Sequence, residues 1–529
     1  MATHQHQTER AGDRISLWEA TTETRALNPL RENIDTHICI VGAGIAGLSV
    51  AYRLVRDGQR VVVIDDGQVG RGMTGRTTAH LASAQDDGYY EIESLHGAEG
   101  ARFAYGSHAA AIDQIEANVR DERIDCGFER LDGYLFEPPN QGIDNLRQEF
   151  EACVRAGVDV TWVDRAPIDA FNTGPAIRFA NQGQFHPLHY LRGLAAAIER
   201  YGGKIYTGTR VVDVQESENG VAKTQDGLTI RARSFIVASN TPINDRYVIH
   251  TKQAPYTTYV IGLRVPNGSV PHALFWDMAE HAGQEDKPIG QIPYHYVRVS
   301  AGADGDEVLV VGGEDHKTAQ EEDFEQRYTN LEDWTRVRWP QASEVVFRWS
   351  GQVMEPEDYM GFIGRNPADK DNVYIATGDS GQGMTHGTIA GILIPDLIMG
   401  RENRWAKLYD PSRLIFKGIG DFLKENINVA AQYRDYVTGG DVKSLDEIPA
   451  GQGAVFRRGL RKVACYRDDS GTLHEMTAVC PHMKCIVHWN RNEKTWDCPC
   501  HGSRFDAMGH VLNGPSIADL APLDGDAAK

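Results

Sequence analysis

A chain of 529 residues is too long for one compact core and is expected to divide into at least two domains. Its 41% hydrophobic and 24% charged residues are ordinary for a globular protein in water, and a formal net charge of -20 argues against a nucleic-acid partner, which needs clustered Lys and Arg. The longest apolar stretch, 389–399, is broken by Pro395 and Asp396 and falls short of the roughly 20 residues of a membrane span. The polar start MATHQHQTERAGDR has no apolar signal core, so a cytoplasmic location is expected.

In chain order, residues 1–34 read as a polar leader lying on the surface. HICIVGAGIAGLSVAYRLVRDGQRVVVIDD then gives an apolar strand, a glycine turn, a helical stretch and a second apolar strand ending in acid, which is a βαβ unit of a buried parallel sheet. FIVASN reads as another central strand of that sheet, returning after a helix near HYLRGLAAAIERYG. Residues 95–170 and 245–345 are assigned to a mostly antiparallel substrate subdomain interleaved with the first. NVYIATGDSGQGMTHGTIAGILIPDLI closes the region as strand, glycine loop and helix. Residues 401–440 read as a helical linker, and 441–529, with short strands and turns rich in Gly, Asp and Asn, as a small all-β domain.

Gly42, Gly44 and Gly47 stand between strand and helix, where a pyrophosphate can rest on backbone N–H groups and the helix dipole. Gly42 makes the tight turn, Gly44 admits the phosphates past Ile45 and Ala46, and Gly47 lets helix and strand approach. The acid expected about 20 positions on, to bind a ribose hydroxyl, is Asp65, with Asp66 as the alternative. No second motif of this kind appears, which weighs against separate FAD and NAD units. With the late glycine loop Gly378–Gly383, FAD is favoured.

IVGAGIAGLSVAYRL, GQFHPLHYLRGLAAAIERYGGKIYTGTRVVDV and MGFIGRNP with the glycine loop after it resemble the glycine and D-amino-acid oxidase family over residues 35–400. The resemblance implies an α/β FAD-binding Rossmann-like domain. It places the Val212 backbone against the adenine and Gly378, Gly381, Gln382, Gly383 and Met384 near the flavin. It also implies hydride removal from a carbon beside an amine or amino-acid nitrogen, the protein orienting the substrate while the flavin does the redox chemistry. The stretch holding Thr77, Thr78 and His80 runs along the flavin in related enzymes. Some relatives attach FAD through a histidine there, and a hydrogen-bonded loop histidine is the alternative for His80. Tyr359, Gln382 and His386 flank the flavin-contacting segments and are the catalytic candidates.

Of eight cysteines, four crowd between Cys480 and Cys500, an arrangement unlike a disulfide scaffold. Cys480-Pro481-His482 and Cys498-Pro499-Cys500-His501 each offer one thiolate and one imidazole. That is the set a Rieske 2Fe–2S cluster needs, and a structural zinc is the alternative. The stretch 441–525 resembles Rieske domains. The resemblance implies a Cys485–Cys500 disulfide joining the two loops, a Ser503 hydroxyl donating to a cluster sulfide, and a shielding proline loop at Gly514-Pro515. It departs at Phe505, where high-potential members carry a tyrosine whose hydrogen bond stabilises the extra electron. The scattered Cys39 and Cys465 read as core residues.

The combination implies electrons passing from a small-molecule amine or amino acid to FAD, then to the cluster, then to an external acceptor. A reverse current fed by a ferredoxin-like donor and a redox sensor with little turnover are the alternatives. No paired His and carboxylate for a mononuclear iron is found, so hydroxylation by this chain alone is not expected. His186 and His189 read as packing or capping residues.

Overall fold

A computed structural model describes residues 15–23, 27–138, 142–215, 220–244, 248–278, 294–303, 305–321, 323–367, 369, 372–414, 429 and 432–523. At its centre is a six-stranded sheet in the order Phe362–Arg365, Val373–Thr377, Ser234–Val237, Ile38–Val41, Val61–Ile64, Lys204–Tyr206. All neighbours are parallel except the first pair. Ile38–Val41 and Val61–Ile64 at its centre are fully buried runs of mostly β-branched residues, as burial on both faces demands. Helix Ile45–Arg56 packs on helix Gly383–Ile398 over one face of this sheet. A four-stranded sheet (Ile34–Asp35, Thr229–Ala232, Gly220–Thr224, Val211–Gln215) lies beside it.

The second large unit is a nine-stranded sheet running from Val345–Pro356 through Gln253–Val265, Glu307–Lys317 and His295–Ala301 to Glu129–Phe136 and Ala176–Gln184. It is antiparallel apart from Leu274–Asp277 beside Glu129–Phe136, so the interleaved antiparallel subdomain is as expected. Within 95–170, however, much of the chain is helical. Gly88–Glu122 and Asp144–Ala156 are helices, the first kinked at Gly97. The expected surface leader is also partly internal. Leu17 and Trp18 are fully buried, and the Trp18 indole donates to the Thr77 carbonyl at 2.5 Å. Trp18 is large enough that burying it outweighs the polarity of its neighbours.

Of the expected helical linker, residues 415–428 lie outside the described residues. The described part has one helical turn at Ala406–Tyr409 and a 3₁₀ turn at Tyr433–Tyr436. The C-terminal domain is all-β, built from a three-stranded sheet (Gln452–Arg458, Arg461–Arg467, Leu473–Thr477) and a four-stranded one (His488–Asn490, Thr495–Asp497, Arg504–Phe505, Val511–Asn513). Cys39 and Cys465 sit in strands with burial pushing both thiols up to about 12. Among the described residues no helix is long and apolar enough to cross a membrane.

Candidate functional site: a dinucleotide cavity and a two-loop metal centre

The first glycine turn is shaped by close backbone approach. Gly42 has φ +111° and a Cβ there would lie 2.3 Å from the Ala238 carbonyl oxygen, so only glycine fits. A Cβ at Gly47 would meet the Gly42 oxygen at 2.0 Å, which gives it the helix–strand role expected of it. Asp65 ends its strand with Oδ2 accepting from Ala43 N–H and Oδ1 from Gly67 N–H, both at 2.6 Å, and so fixes the turn.

These elements open into a cavity of about 290 Å³. Gly42, Gly44, Ile45, Ala46, Asp65, Thr77, Thr78, His80, Gly378, Gly381, Gln382, Gly383, Met384 and His386 all line it. Asp66 does as well, so both acids reach the wall. Val212 does not. Its strand neighbour Val211 does. Tyr359 is also absent from the wall and occupies a tight turn with φ +62°. His80 has both ring nitrogens engaged, Nδ1 with Thr78 Oγ1 at 3.0 Å and Nε2 with the Val297 carbonyl at 3.2 Å. Burial and then Arg298 hold its pKa down to about 3. Burial likewise holds His386 at about 3, and its Nε2 has no partner among the described residues.

One part of the wall was not anticipated. Asp86 opens into the cavity and accepts from Gln382 Nε2 at 2.8 Å, while Asp379 lines the same wall. Behind them the Ser380 hydroxyl lies 2.5 Å from Glu355 Oε1 and 3.0 Å from Asp87 Oδ2. Enclosure by protein, followed by the charges of Asp87 and Asp315, pushes Asp86 up to about 8. Burial pushes Asp379 to about 6 and raises Glu355 well above the usual range. Trp276, Tyr294 and Tyr296 complete this wall, with His80 5.9 Å from Trp276 and 5.8 Å from Tyr296 between ring centres. The cavity-lining arginines are engaged elsewhere: Arg71 with Glu19, Arg76 with Glu493, Arg210 with Asp66 and Asp519, Arg504 with Asp497.

In the C-terminal domain, two loops bring Cys480 with His482 and Cys498 with His501 together. The Cys480 and Cys498 thiols are hydrogen-bonded to each other, which holds Cys480 below the usual thiol range and pushes Cys498 above it. The His482 and His501 rings meet edge-on at 5.0 Å. The His501 Nδ1 is buried without a partner among the described residues. Cys485 and Cys500 form a disulfide whose sulfurs lie within 4.8 Å of the Cys498 sulfur. Ser503 hydrogen-bonds to the Cys480 sulfur and accepts from Ser516 N–H at 3.0 Å, tying the second loop to the Gly514-Pro515 loop. Phe505 is fully buried.

The two sites share a boundary. Arg504, Val511, Leu512, Asn513, Gly514, Ser516 and Ile517 of the C-terminal domain line the dinucleotide cavity. On the other side of the interface, the His250 ring packs edge-on against both His482 and His501, at 5.0 and 5.7 Å.

A family model for FAD-dependent oxidoreductases matches residues 37–397, and one for the Rieske [2Fe–2S] domain matches 440–524. The chain belongs to the FAD-dependent oxidoreductase family. It carries a C-terminal Rieske domain, and the two domains bind FAD and a 2Fe–2S cluster. The Bacillus subtilis (strain 168) protein YhfW, whose name describes a Rieske 2Fe–2S iron–sulfur protein, is 30% identical over 97% of this chain and 98% of its own length. Gamma-glutamylputrescine oxidoreductase of Escherichia coli (strain K12) is 26% identical over 71% of this chain and 86% of its own. Glycine oxidase from Geobacillus kaustophilus superposes with a TM-score of 0.60 at 19% identity, covering 72% of this chain and 99% of that one. This last likeness concerns the fold.

The residues present suit both groups. Glycines at 42 and 44 leave a cradle that side chains would fill, and the buried Gln352 Oε1 on the cavity wall has no partner among the described residues. Two thiols and two imidazoles, one of them with an orphaned buried nitrogen, are the donor set of a Rieske cluster.

Proposed function

We propose that the flavin domain oxidises an amine at its C–N bond and that the electrons leave through the Rieske cluster to an external one-electron acceptor. The observation carrying this reading is the acidic and aromatic wall of the cavity. Asp86 and Asp379 offer carboxyl groups that, among the described residues, no cavity arginine pairs with, and Trp276, Tyr294 and Tyr296 offer ring faces that attract a cation. An ammonium group suits this wall. A free carboxylate would meet repulsion there, which favours an amine over a simple amino acid.

On this reading, the chain is divided into a leader at 1–34, a flavin domain at 35–400, a linker at 401–440 and a cluster domain at 441–529. Gly42, Gly44, Asp65 and the 378–384 loop hold the dinucleotide. Cys480, His482, Cys498 and His501 hold the cluster. Bound flavin supplies the acceptor for hydride removal from the carbon beside nitrogen. The protein's own contribution is to position the amine and to take its proton. With its carboxyl at about 8, Asp86 in its carboxylate form, which fills in as pH rises through that value, holds the cation and accepts a proton as the nitrogen becomes neutral. Apolar and aromatic side chains keep water from the reacting carbon. The cytoplasm is the proposed location.

The test is anaerobic mixing of the full chain with a panel of amines, diamines and amino acids, following flavin bleaching and the reduced-cluster EPR signal together. Bleaching by amines in preference to amino acids, with the cluster signal following, is the expected result. If no compound bleaches the flavin while dithionite still raises the Rieske signal, amine oxidation is wrong.

A further inference from the structure

Gln352 lies on the long strand Val345–Pro356 and is 3% exposed. It lines the dinucleotide cavity, and its Nε2 donates to the Gly502 carbonyl at 2.9 Å. Gly502 is joined by one peptide bond to the candidate ligand His501. A Cβ on Gly502 would lie 2.5 Å from Gln352 Nε2 and 2.7 Å from Pro255 Cβ, and its φ of +77° is glycine territory. Backbone of the metal loop is thus pressed against Gln352 and Pro255, with no room for a side chain at 502.

The contact is held from both sides. Two residues earlier on the same strand, the Ser350 hydroxyl donates to Glu493 Oε1 at 2.8 Å. Arg76 bridges the Ser350 carbonyl at 2.7 Å and Glu493 Oε2 at 3.0 Å. Arg76 and Glu493 side chains are each 1% exposed. Breaking a buried pair of this kind leaves an uncompensated charge, so the arrangement is costly to open.

We propose that Gln352 is the residue through which electrons cross between the flavin and the cluster, by way of Gly502 and His501, with the two domains docked as seen here. The proposal rests on the flavin-to-cluster part of the functional reading, and it holds for either direction of flow. Each amine oxidised yields two electrons and two protons. The electrons leave singly in two passages, each converting the cluster from Fe³⁺/Fe³⁺ to Fe³⁺/Fe²⁺. The external one-electron acceptor reoxidises the cluster after each passage, and the protons go to solvent. Tunnelling favours a short path through bonds and hydrogen bonds over one through space. His250 also touches the cluster histidines, but it is not part of the cavity wall. A second route from the cluster loops to the cavity wall runs from Ser503 to Ser516, whose backbone N–H donates to it.

The test uses the full chain with both cofactors bound. The flavin is photoreduced by a laser flash in the presence of EDTA, and its reoxidation is followed against cluster reduction. Gln352→Met keeps the bulk and removes the donor; Gln352→Glu keeps the shape and removes the N–H, in case the first variant does not fold. FAD content, both midpoint potentials and the cluster EPR spectrum identify variants whose cofactors are intact. In those, the flavin-to-cluster rate is expected to fall about tenfold or more. Parental rates in both variants, or transfer slowed in Ser503→Ala, which removes the hydroxyl that accepts from Ser516 N–H, and unslowed in the Gln352 variants, would overturn the assignment. Because light rather than an amine delivers the electrons, a failure of amine oxidation leaves this outcome readable.

Discussion

Arg76 and Glu493, 417 positions apart, meet at 3.0 Å with both side chains 1% exposed, and this ion pair joins the flavin and Rieske domains. Arg76 lines the dinucleotide cavity, and Glu493 sits in the turn before strand Thr495–Asp497 of the cluster domain. The Ser350 hydroxyl completes the pairing. Removing one partner of such a pair costs about 3–5 kcal/mol, whereas removing both together is closer to neutral. Arg76→Met is therefore expected to lower the thermal transition of the holoprotein markedly, and Arg76→Met with Glu493→Gln to recover most of the loss. Calorimetry checks this, and separate melting of the two domains in the single variant would show where the loss falls.

The acidic wall predicts how amine binding depends on pH. With Asp86 at about 8, its carboxylate form fills in as pH rises through 8. KM for a cationic amine is expected to fall across that range. In Asp86→Asn, KM is expected to be about tenfold higher and flat over the same range, as loss of one charged hydrogen bond implies. Steady-state assays from pH 6 to pH 9 with one amine substrate distinguish the two profiles.

The same carboxyls set a stability profile of opposite sense. Asp86, Asp87 and Glu355 all have folded-state pKa values raised above those of the unfolded chain, Asp87 to about 7. Their protonated forms are compatible with burial and their charged forms are not. Stability is thus fully present below the ordinary carboxylate range and lost as pH rises toward 7–8. In the protein without substrate, Glu355→Gln is expected to flatten this loss, measured by denaturant titration at pH 5 and pH 8.

His295 adds a second alkaline limit. Burial alone would lower its pKa, but Asp277, at 3.0 Å from Nδ1, and Glu314 outweigh it and hold His295 at about 9. A raised histidine stabilises fully below its unfolded value of 6.5, and the contribution disappears as pH rises through 9. Trp334 stacks on the ring at 4.2 Å, so its fluorescence is expected to change across this range in the parent and to stay flat in His295→Asn.

Phe505 bears on the cluster potential. Its ring is fully buried on the strand that follows the second ligand loop and carries no donor. Phe505→Tyr is expected to raise the midpoint potential by about 40 mV, the worth of one hydrogen bond of about 1 kcal/mol to the reduced state. EPR-monitored redox titration reads it directly. An unchanged potential would mean that the hydroxyl finds a different partner.

What could be read in the sequence was what local backbone chemistry dictates. Gly47 is forced by a 2.0 Å approach to the Gly42 oxygen within one turn, Gly42 has φ +111°, and the Cys-Pro-His and Cys-Pro-Cys-His loops carry their donors at fixed short spacing. The acidic wall was hidden because Asp86, Asp315, Glu355 and Asp379 come from separate segments that only the tertiary fold brings together; the adjacent Asp86-Asp87 pair was the one local hint. Trp18 looked peripheral because its neighbours are polar. Gln352 carries no signature at all, since its significance lies in a contact with Gly502, 150 positions away.

The C-terminal strand and proline loop form part of the wall around the dinucleotide site. Residues 504–517 are therefore one side of the chamber that residues 41–46 begin. With the Rieske domain docked as here, that side of the chamber is closed to exchange with solvent. It also makes cofactor retention a property of the whole molecule: whatever loosens the last domain exposes the prosthetic group of the first.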